Sequence, residues 1–313
     1  MKRFWRAPWL AEQSPERRPA RRVWRLGVVV ALCVWWLSGL AVAWLALAPM
    51  HRAEPATPIG GGIRSFENVE LRSADGVRLA GWLIPARGCA RAVVIGCHGI
   101  GSDRTSLIPF ARTMSRRGYD VLLFDFRARG RSGGSRCTIG YRETDDVLAA
   151  VAWAGAHPPT RGLPIALYGQ SMGAASAILA AARSPQVRAV VAESPFSRLD
   201  RAVALWFRRL AGPLGPVIAA PSVWWGEKLL GCRLRDVSPE DAMRRLSDCP
   251  VLLIQDAEDR QSPASETDRL LRASGGRASR WTAPGADHLC AQAVAPREFE
   301  RRVATFLDDA IGR

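Results

Sequence analysis

The sequence predicts an α/β protein in which a mostly parallel, doubly wound sheet follows one N-terminal transmembrane helix and carries a helical cap insertion. Three observations lead there. Short apolar runs alternate with amphipathic stretches from residue 66 onward, which is the pattern of parallel strands covered by helices on both faces. A run near the N-terminus holds no Asp, Glu, Lys, Arg or His over 23 residues. Residues 196–246 break the alternation without offering a strand. With 313 residues, 48% hydrophobic and 23% charged, the chain has material for a sizeable core and is neither wholly disordered, collagen-like nor a polytopic membrane protein.

Residues 1–25 carry eight Lys or Arg against Glu12 and Glu16 and read as a basic cytoplasmic tail. Leu26 to Ala48 follows as LGVVVALCVWWLSGLAVAWLALA. As a helix it covers about 34 Å, enough for a hydrocarbon layer of about 30 Å. Ala46-Leu47-Ala48 resembles a signal-peptidase site and Arg21-Arg22 a twin-arginine pair. Pro49 after the cut, the length of the apolar run and the length of the region before it favour a retained anchor instead. Only Arg52 and Arg64 lie soon after the span, so the charge bias places the N-terminus in the cytoplasm. The expected arrangement is a single pass through the inner cell membrane, with the bulk of the chain periplasmic or extracellular. Residues 49–65, rich in Pro, Gly and small side chains, read as a linker in which His51 is inert.

The net charge of +15 raises nucleic-acid binding. Much of it belongs to the tail, however, and the rest is scattered arginine rather than one basic face. No recognition helix, zinc-ligand spacing or aromatic RNA-binding signature accompanies it, so no nucleic-acid partner is expected. The cysteines add little. Cys33 falls in the span, and an extended run between Cys89 and Cys97 holds those two too far apart to bridge. Cys232 with Cys249 is the pair to examine, free buried thiols being the expected state. No C-x-x-C or Cys/His cluster offers a metal site, and no cofactor is expected.

In the domain from 66 to 313, Glu67–Arg72 and Val77–Ile84 flank a turn at Ala74-Asp75-Gly76 and predict an antiparallel hairpin. Runs at Ala92–Cys97, Val121–Phe124, Ile165–Tyr168, Val187–Ala192, Val251–Ile254 and Ala278–Thr282 are each too short for a helix and predict strands. Helical patterns lie at 104–117, 142–156, 172–183, 263–273 and 296–311. Within 196–246, Trp206, Phe207, Trp224 and Trp225 punctuate a Pro/Gly-interrupted apolar stretch, which suits a lid over a site. A peripheral helical pair, or tryptophans meeting the membrane surface, would leave the same pattern.

Gly169-Gln170-Ser171-Met172-Gly173 fits G-x-S-x-G, and so does Gly130-Arg131-Ser132-Gly133-Gly134. Context separates them. Ser171 stands between the strand IALYG and the helix former MGAASAILAAA, whose N-terminus would aim free N–H groups at developing negative charge. Ser132 lies in an Arg/Gly loop with neither flank. A serine hydroxyl needs a histidine to take its proton, and the histidine needs an acid to set its tautomer. Of the four histidines, His51 is in the linker, His157 precedes Pro158-Pro159, His98 ends a strand in CHGIG, and His288 lies in GADHL before the last helix. VLLIQDAEDRQSP ends a strand with Asp256, Glu258 and Asp259.

Through CHGIGSDR, FDFRARGRSGG, GQSMG, QDAEDRQSP and GADHL, over residues 66 to 311, the chain resembles an α/β-hydrolase. The resemblance implies the chain order nucleophile, acid, histidine, which selects Ser171 and His288 and places the acid at Asp259, with Pro263 opening the next helix. Gln255-Asp256 stands where such families commonly have His-Gly, so Asp256 remains an alternative acid, as does Glu193 in AESPF. The same resemblance implies an oxyanion hole from the N–H groups of Ile100 and Met172, a loop-organising His98, and loop-bracing roles for Asp125 and Arg127. The function implied is a serine hydrolase that cleaves a carboxylic ester or thioester of a small acyl substrate through an acyl-enzyme on Ser171. A peptidase of the same fold and a non-catalytic binding module tethered to the membrane are the alternatives.

Overall fold

The computed structural model describes residues 17–51 and 57–312. Most of the basic tail, residues 1–16, and residues 52–56 of the expected linker, Arg52 among them, lie outside the described residues. Helix α1 (Arg17–Leu47) opens the chain and is the one helix among the described residues long and apolar enough to cross a membrane. It starts earlier than the apolar run because Ala and Arg extend a helix readily, and it stops two residues before Pro49.

After α1 come β1 (Met50–His51), β2 (Glu67–Arg72), β3 (Arg78–Ile84), β4 (Ala92–Cys97), α2 (Ile108–Arg116), β5 (Tyr119–Phe124), β6 (Arg129–Gly130), α3 (Glu143–Ala156), β7 (Ile165–Gln170) and α4 (Met172–Ala181). The chain continues through β8 (Val187–Glu193), α5 (Leu199–Ala211), α6 (Gly215–Leu230), α7 (Pro239–Arg245), β9 (Val251–Asp256), α8 (Ala264–Ala273), β10 (Ala278–Ala283), α9 (Ala291–Val294) and α10 (Pro296–Ile311). Eight strands form one sheet in the order β10-β9-β8-β7-β4-β5-β3-β2. Only β3 runs against its neighbours, pairing antiparallel with both β2 and β5.

Alternate residues of the central strands feed two separate cores. Val93, Ile95, Leu167 and Leu253 enter the face covered by α3, α4, α7 and α8, whereas Val94, Tyr168, Leu252 and Ile254 enter the face covered by α2 and α10. This is why those strands read as continuous apolar runs: with both faces covered, neither parity of side chain meets water. The fold is that of the α/β-hydrolases, preceded by one apolar helix.

The expected helix at 104–117 is two pieces. A 3₁₀ turn at Arg104–Leu107, capped by the Asp103 side chain on the Thr105 N–H, gives way to α2 with Pro109 in its first turn. Proline has no N–H to donate one turn back, so an α-helix can begin there but not run through. The segment after α1 is not wholly free. Met50–His51 pairs in parallel with Arg129–Gly130, the Met50 N–H donates to the Ala128 carbonyl (2.8 Å), and the Cys137 N–H donates to the Leu47 carbonyl (3.0 Å). The buried Arg129 adds a bond from Nη1 to the Ala48 carbonyl at 2.9 Å. A two-residue ladder is too short to show as alternation, so nothing in the sequence announces it. All seven cysteines, Cys232 and Cys249 included, are free thiols.

Candidate active site

Ser171 occupies the turn between β7 and α4 with φ 51° and ψ −114°, a conformation that L-residues avoid. Two glycines make the turn possible. A Cβ at Gly169 would come within 2.4 Å of the Gly173 carbonyl oxygen, and one at Gly173 within 2.1 Å of the Cys97 carbonyl oxygen, so β7, α4 and the end of β4 approach closely only without side chains there. The turn carries the hydroxyl to the C-terminal edge of the sheet.

The loop after β10 brings His288 to it. Nε2 of His288 lies 3.2 Å from Ser171 Oγ, and Nδ1 lies 2.7 Å from Asp259 Oδ2. Because Nδ1 faces a carboxylate, it carries the proton and leaves Nε2 free to accept from the serine. Asp259 in turn accepts the N–H groups of Gln261 (2.7 Å) and Ser262 (2.9 Å) through Oδ1. Burial alone would raise its pKa. The bonds from His288, the Ser262 N–H and Ser194 outweigh that and hold the carboxyl below the usual aspartate value, hence ionised.

The two alternative acids are engaged elsewhere. Asp256 Oδ2 accepts from Ser194 Oγ and from the Leu289 N–H, each at 2.8 Å, and so braces the loop carrying His288. Glu193 is held by Tyr168 Oη at 2.6 Å and Gln170 Nε2 at 3.0 Å; burial, then the nearby charge of Asp256, pushes it up to about 7. Ser194 and Leu289 also hold positive φ, 49° and 62°, so unusual backbone gathers around this one site.

Ile100 and Met172 line the same cavity as Ser171 and His288. Met172 is the first residue of α4, where an N–H has no acceptor within the helix. Gly99 passes so close that a Cβ there would lie 3.7 Å from the Ser171 Cβ. His98 is fully buried; its Nε2 accepts from the Phe126 N–H (3.0 Å) and Nδ1 donates to the Gly99 carbonyl (2.9 Å). Burial lowers its pKa and favours the neutral ring, which ties two loops together. Asp125 receives the Arg104 and Arg131 N–H groups and the Arg104 guanidinium, while Arg127 is clamped by Asp146 and Asp75. Ser132 of the second G-x-S-x-G accepts from the Ala80 N–H and donates to the Asp125 carbonyl, so its hydroxyl is used up in the loop. His157 stacks on Trp153 and His51 lies in β1.

The cavity above Ser171 encloses about 660 Å³. Trp206 and Phe207 of α5 line it, whereas Trp224 and Trp225 of α6 pack on Trp36 of α1, with ring centroids 5.2 and 6.4 Å away. A further wall was not foreseen: Val42, Ala43 and Leu47 of α1 face the same space. The spacing Gly39, Ala43, Leu47 puts one buried face on α1, and that repeat of small and apolar residues was the available signal.

Residues 88–236 match the family described as serine aminopeptidase, S33. Over 256 residues the chain is 29% identical to the protein YqkD of Bacillus subtilis, covering 78% of this chain and 82% of that one. It is 27% identical over 260 residues to Rv2307c of Mycobacterium tuberculosis, covering 83% of each. Among solved structures it is similar to the esterase Pf2001 of Pyrococcus furiosus, with a TM-score of 0.72 and 27% identity over 85% of this chain and 98% of that one. The chain belongs to the α/β-hydrolase superfamily. Within it the chain is a hydrolase of esterase-like type.

Proposed function

We propose that the protein is a serine hydrolase acting on a carboxylic ester or thioester, anchored by α1 with its N-terminus in the cytoplasm and its catalytic domain on the far side of the membrane. One observation carries the chemistry: the unbroken hydrogen-bond line Ser171, His288, Asp259 at the floor of an apolar cavity. Ser171 Oγ attacks the acyl carbonyl carbon as its proton passes to His288 Nε2, and the ionised Asp259 stabilises the imidazolium. The N–H groups of Ile100 and Met172 receive the oxyanion, each contributing about 3 to 4 kcal/mol if it behaves as measured donors do. Collapse expels the alcohol or thiol, protonated by His288. Water then gives a proton to Nε2 and attacks the acyl-serine; the proton returns to Ser171 as the carboxylic acid leaves.

Covalent labelling by a fluorophosphonate, lost in Ser171→Ala, is the expected outcome. An unlabelled parent protein, or equal labelling of the variant, would refute the enzyme reading and favour a binding module. The matched family description favours one second reading, a peptidase. A panel of p-nitrophenyl esters and thioesters set against aminoacyl p-nitroanilides separates the two, with turnover expected on the esters.

A further inference from the structure

The cap helices extend the apolar surface of α1 rather than shielding the site from it. Gly39 of α1 is seated against α6 so closely that a Cβ would lie 2.3 Å from the Pro221 Cβ. Leu47 joins Leu230, Leu234, Phe196 and Leu199 in one buried cluster, so α6 returns to the core beside the last turns of α1. With the β1–β6 ladder and Arg129 holding the chain just after α1, that helix has a set orientation against the catalytic domain. From Leu210 to Gly226 no residue is charged. Leu210, Leu214 and Val217, at the tip joining α5 to α6, are 66%, 65% and 60% exposed. The tip projects alongside a helix whose own apolar side chains, Val29, Leu32 and Leu37 among them, are equally bare. A soluble protein seldom exposes apolar groups this densely without a partner, and the partner of α1 is the bilayer.

We infer that the α5–α6 tip inserts into the same bilayer as α1, and that the cavity between α1, α5 and α6 takes the acyl chain of a membrane-resident lipid ester laterally from it. The inference rests on the ester-hydrolase reading above. Its occupant is argued from continuity: the exposed tip joins α5 and α6 beside the lipid-facing surface of α1, and the three helices line the cavity that ends at Ser171 through Val42, Ala43, Phe207 and Val223. Arg208 stands just before the tip and is exposed, its long stem carrying charge toward headgroup phosphates as at an interfacial helix, while Arg209 lines the cavity. An acyl chain entering along Ala43 and Leu47 leaves the bilayer without crossing water, along a mostly apolar lining. The anchor thereby becomes part of the binding site.

The test uses the full chain in phosphatidylcholine/phosphatidylglycerol vesicles, with two substrates: p-nitrophenyl acetate in the water and 4-methylumbelliferyl oleate dissolved in the bilayer. The double variant Leu214→Asp, Val217→Asp touches neither Ser171 nor the cavity. Acetate turnover and fluorophosphonate labelling are expected within twofold of the parent, with oleate turnover down tenfold or more. Equal effects on both substrates, or an undiminished oleate rate, would overturn the inference. A second variant does not depend on the tip: Ala46→Trp narrows the α1 wall and is expected to lower the oleate-to-acetate rate ratio at least tenfold. An unchanged ratio would remove α1 from the binding site. A parent protein that neither turns over acetate nor takes the label would instead bring down the hydrolase reading, and this inference with it.

Discussion

Ser171 keeps its left-handed φ at a cost of about 1 to 3 kcal/mol, met by the packing of β7 and α4 around it. What it gains is a half-buried hydroxyl facing the cavity, 3.2 Å from an imidazole already oriented by Asp259. In Asp259→Asn the amide can no longer hold the proton on Nδ1, so kcat is expected to fall by about 10³- to 10⁴-fold with KM little changed. Retained activity on the best ester of the panel would remove Asp259 from its role. Glu193 makes a different prediction, about stability. Its folded pKa of about 7 lies above the ordinary glutamate value of 4.5, so between those pH values the folded protein binds a proton that the unfolded chain releases. Stability therefore falls as pH rises through that window, by about 3 kcal/mol in all. Glu193→Gln removes the dependence, and the melting temperature of the variant relative to the parent should climb between pH 4.5 and 7.5. A pH-independent difference would show the carboxyl ionised normally. Asp259 was the acid selected by its place in QDAEDRQSP, with Asp256 and Glu193 as alternatives. The structure adds what occupies the alternatives, Ser194 and the Leu289 N–H for Asp256 and Tyr168 for Glu193.

The elements that aim these side chains meet at glycines. Because Gly173 lies against the Cys97 and His98 carbonyls, Gly173→Ala must separate α4 from the end of β4. About 3 kcal/mol of stability is expected to be lost, near the top of the overpacking range, together with most labelling of Ser171. A chemical-denaturation midpoint matching that of the parent would mean that the backbone yields more easily than the contact implies. Arginines anchor the neighbouring loops: Arg127 holds the start of α3 to the β2–β3 turn through Asp146 and Asp75. The central strands β4, β5 and β9 were legible because each is buried on both sides. The 3₁₀ turn before α2 and the β1–β6 ladder were less so, since one depends on a single proline and the other on two residues.

Across the whole molecule, charge is expected to decide orientation. Eight cations precede the apolar run, so a C-terminal alkaline phosphatase fusion should be active and a fusion requiring the cytoplasm silent. The reverse result would turn the proposed topology over. Relocating four of the eight arginines and lysines to residues 52–60 is expected to weaken the bias, which the same fusion pair would detect. The close seating of Gly39 on Pro221 gives this orientation a structural consequence, because α1 cannot tilt freely without disturbing the cap that borders Ser171.

Taken alone, the sequence determined the α/β class, the apolar N-terminal helix and the elbow that carries Ser171. Each of these is written in local pattern: alternation, an uncharged run, glycines at fixed offsets from a serine. The motif order already pointed His288 to Asp259; tertiary structure alone decided that Trp224 and Trp225 turn to α1 while Trp206 and Phe207 turn to the cavity, and that α1 walls the site. Those outcomes depend on which surfaces meet when distant segments pack, and side chains separated by a hundred residues or more leave no mutual trace in a one-dimensional pattern.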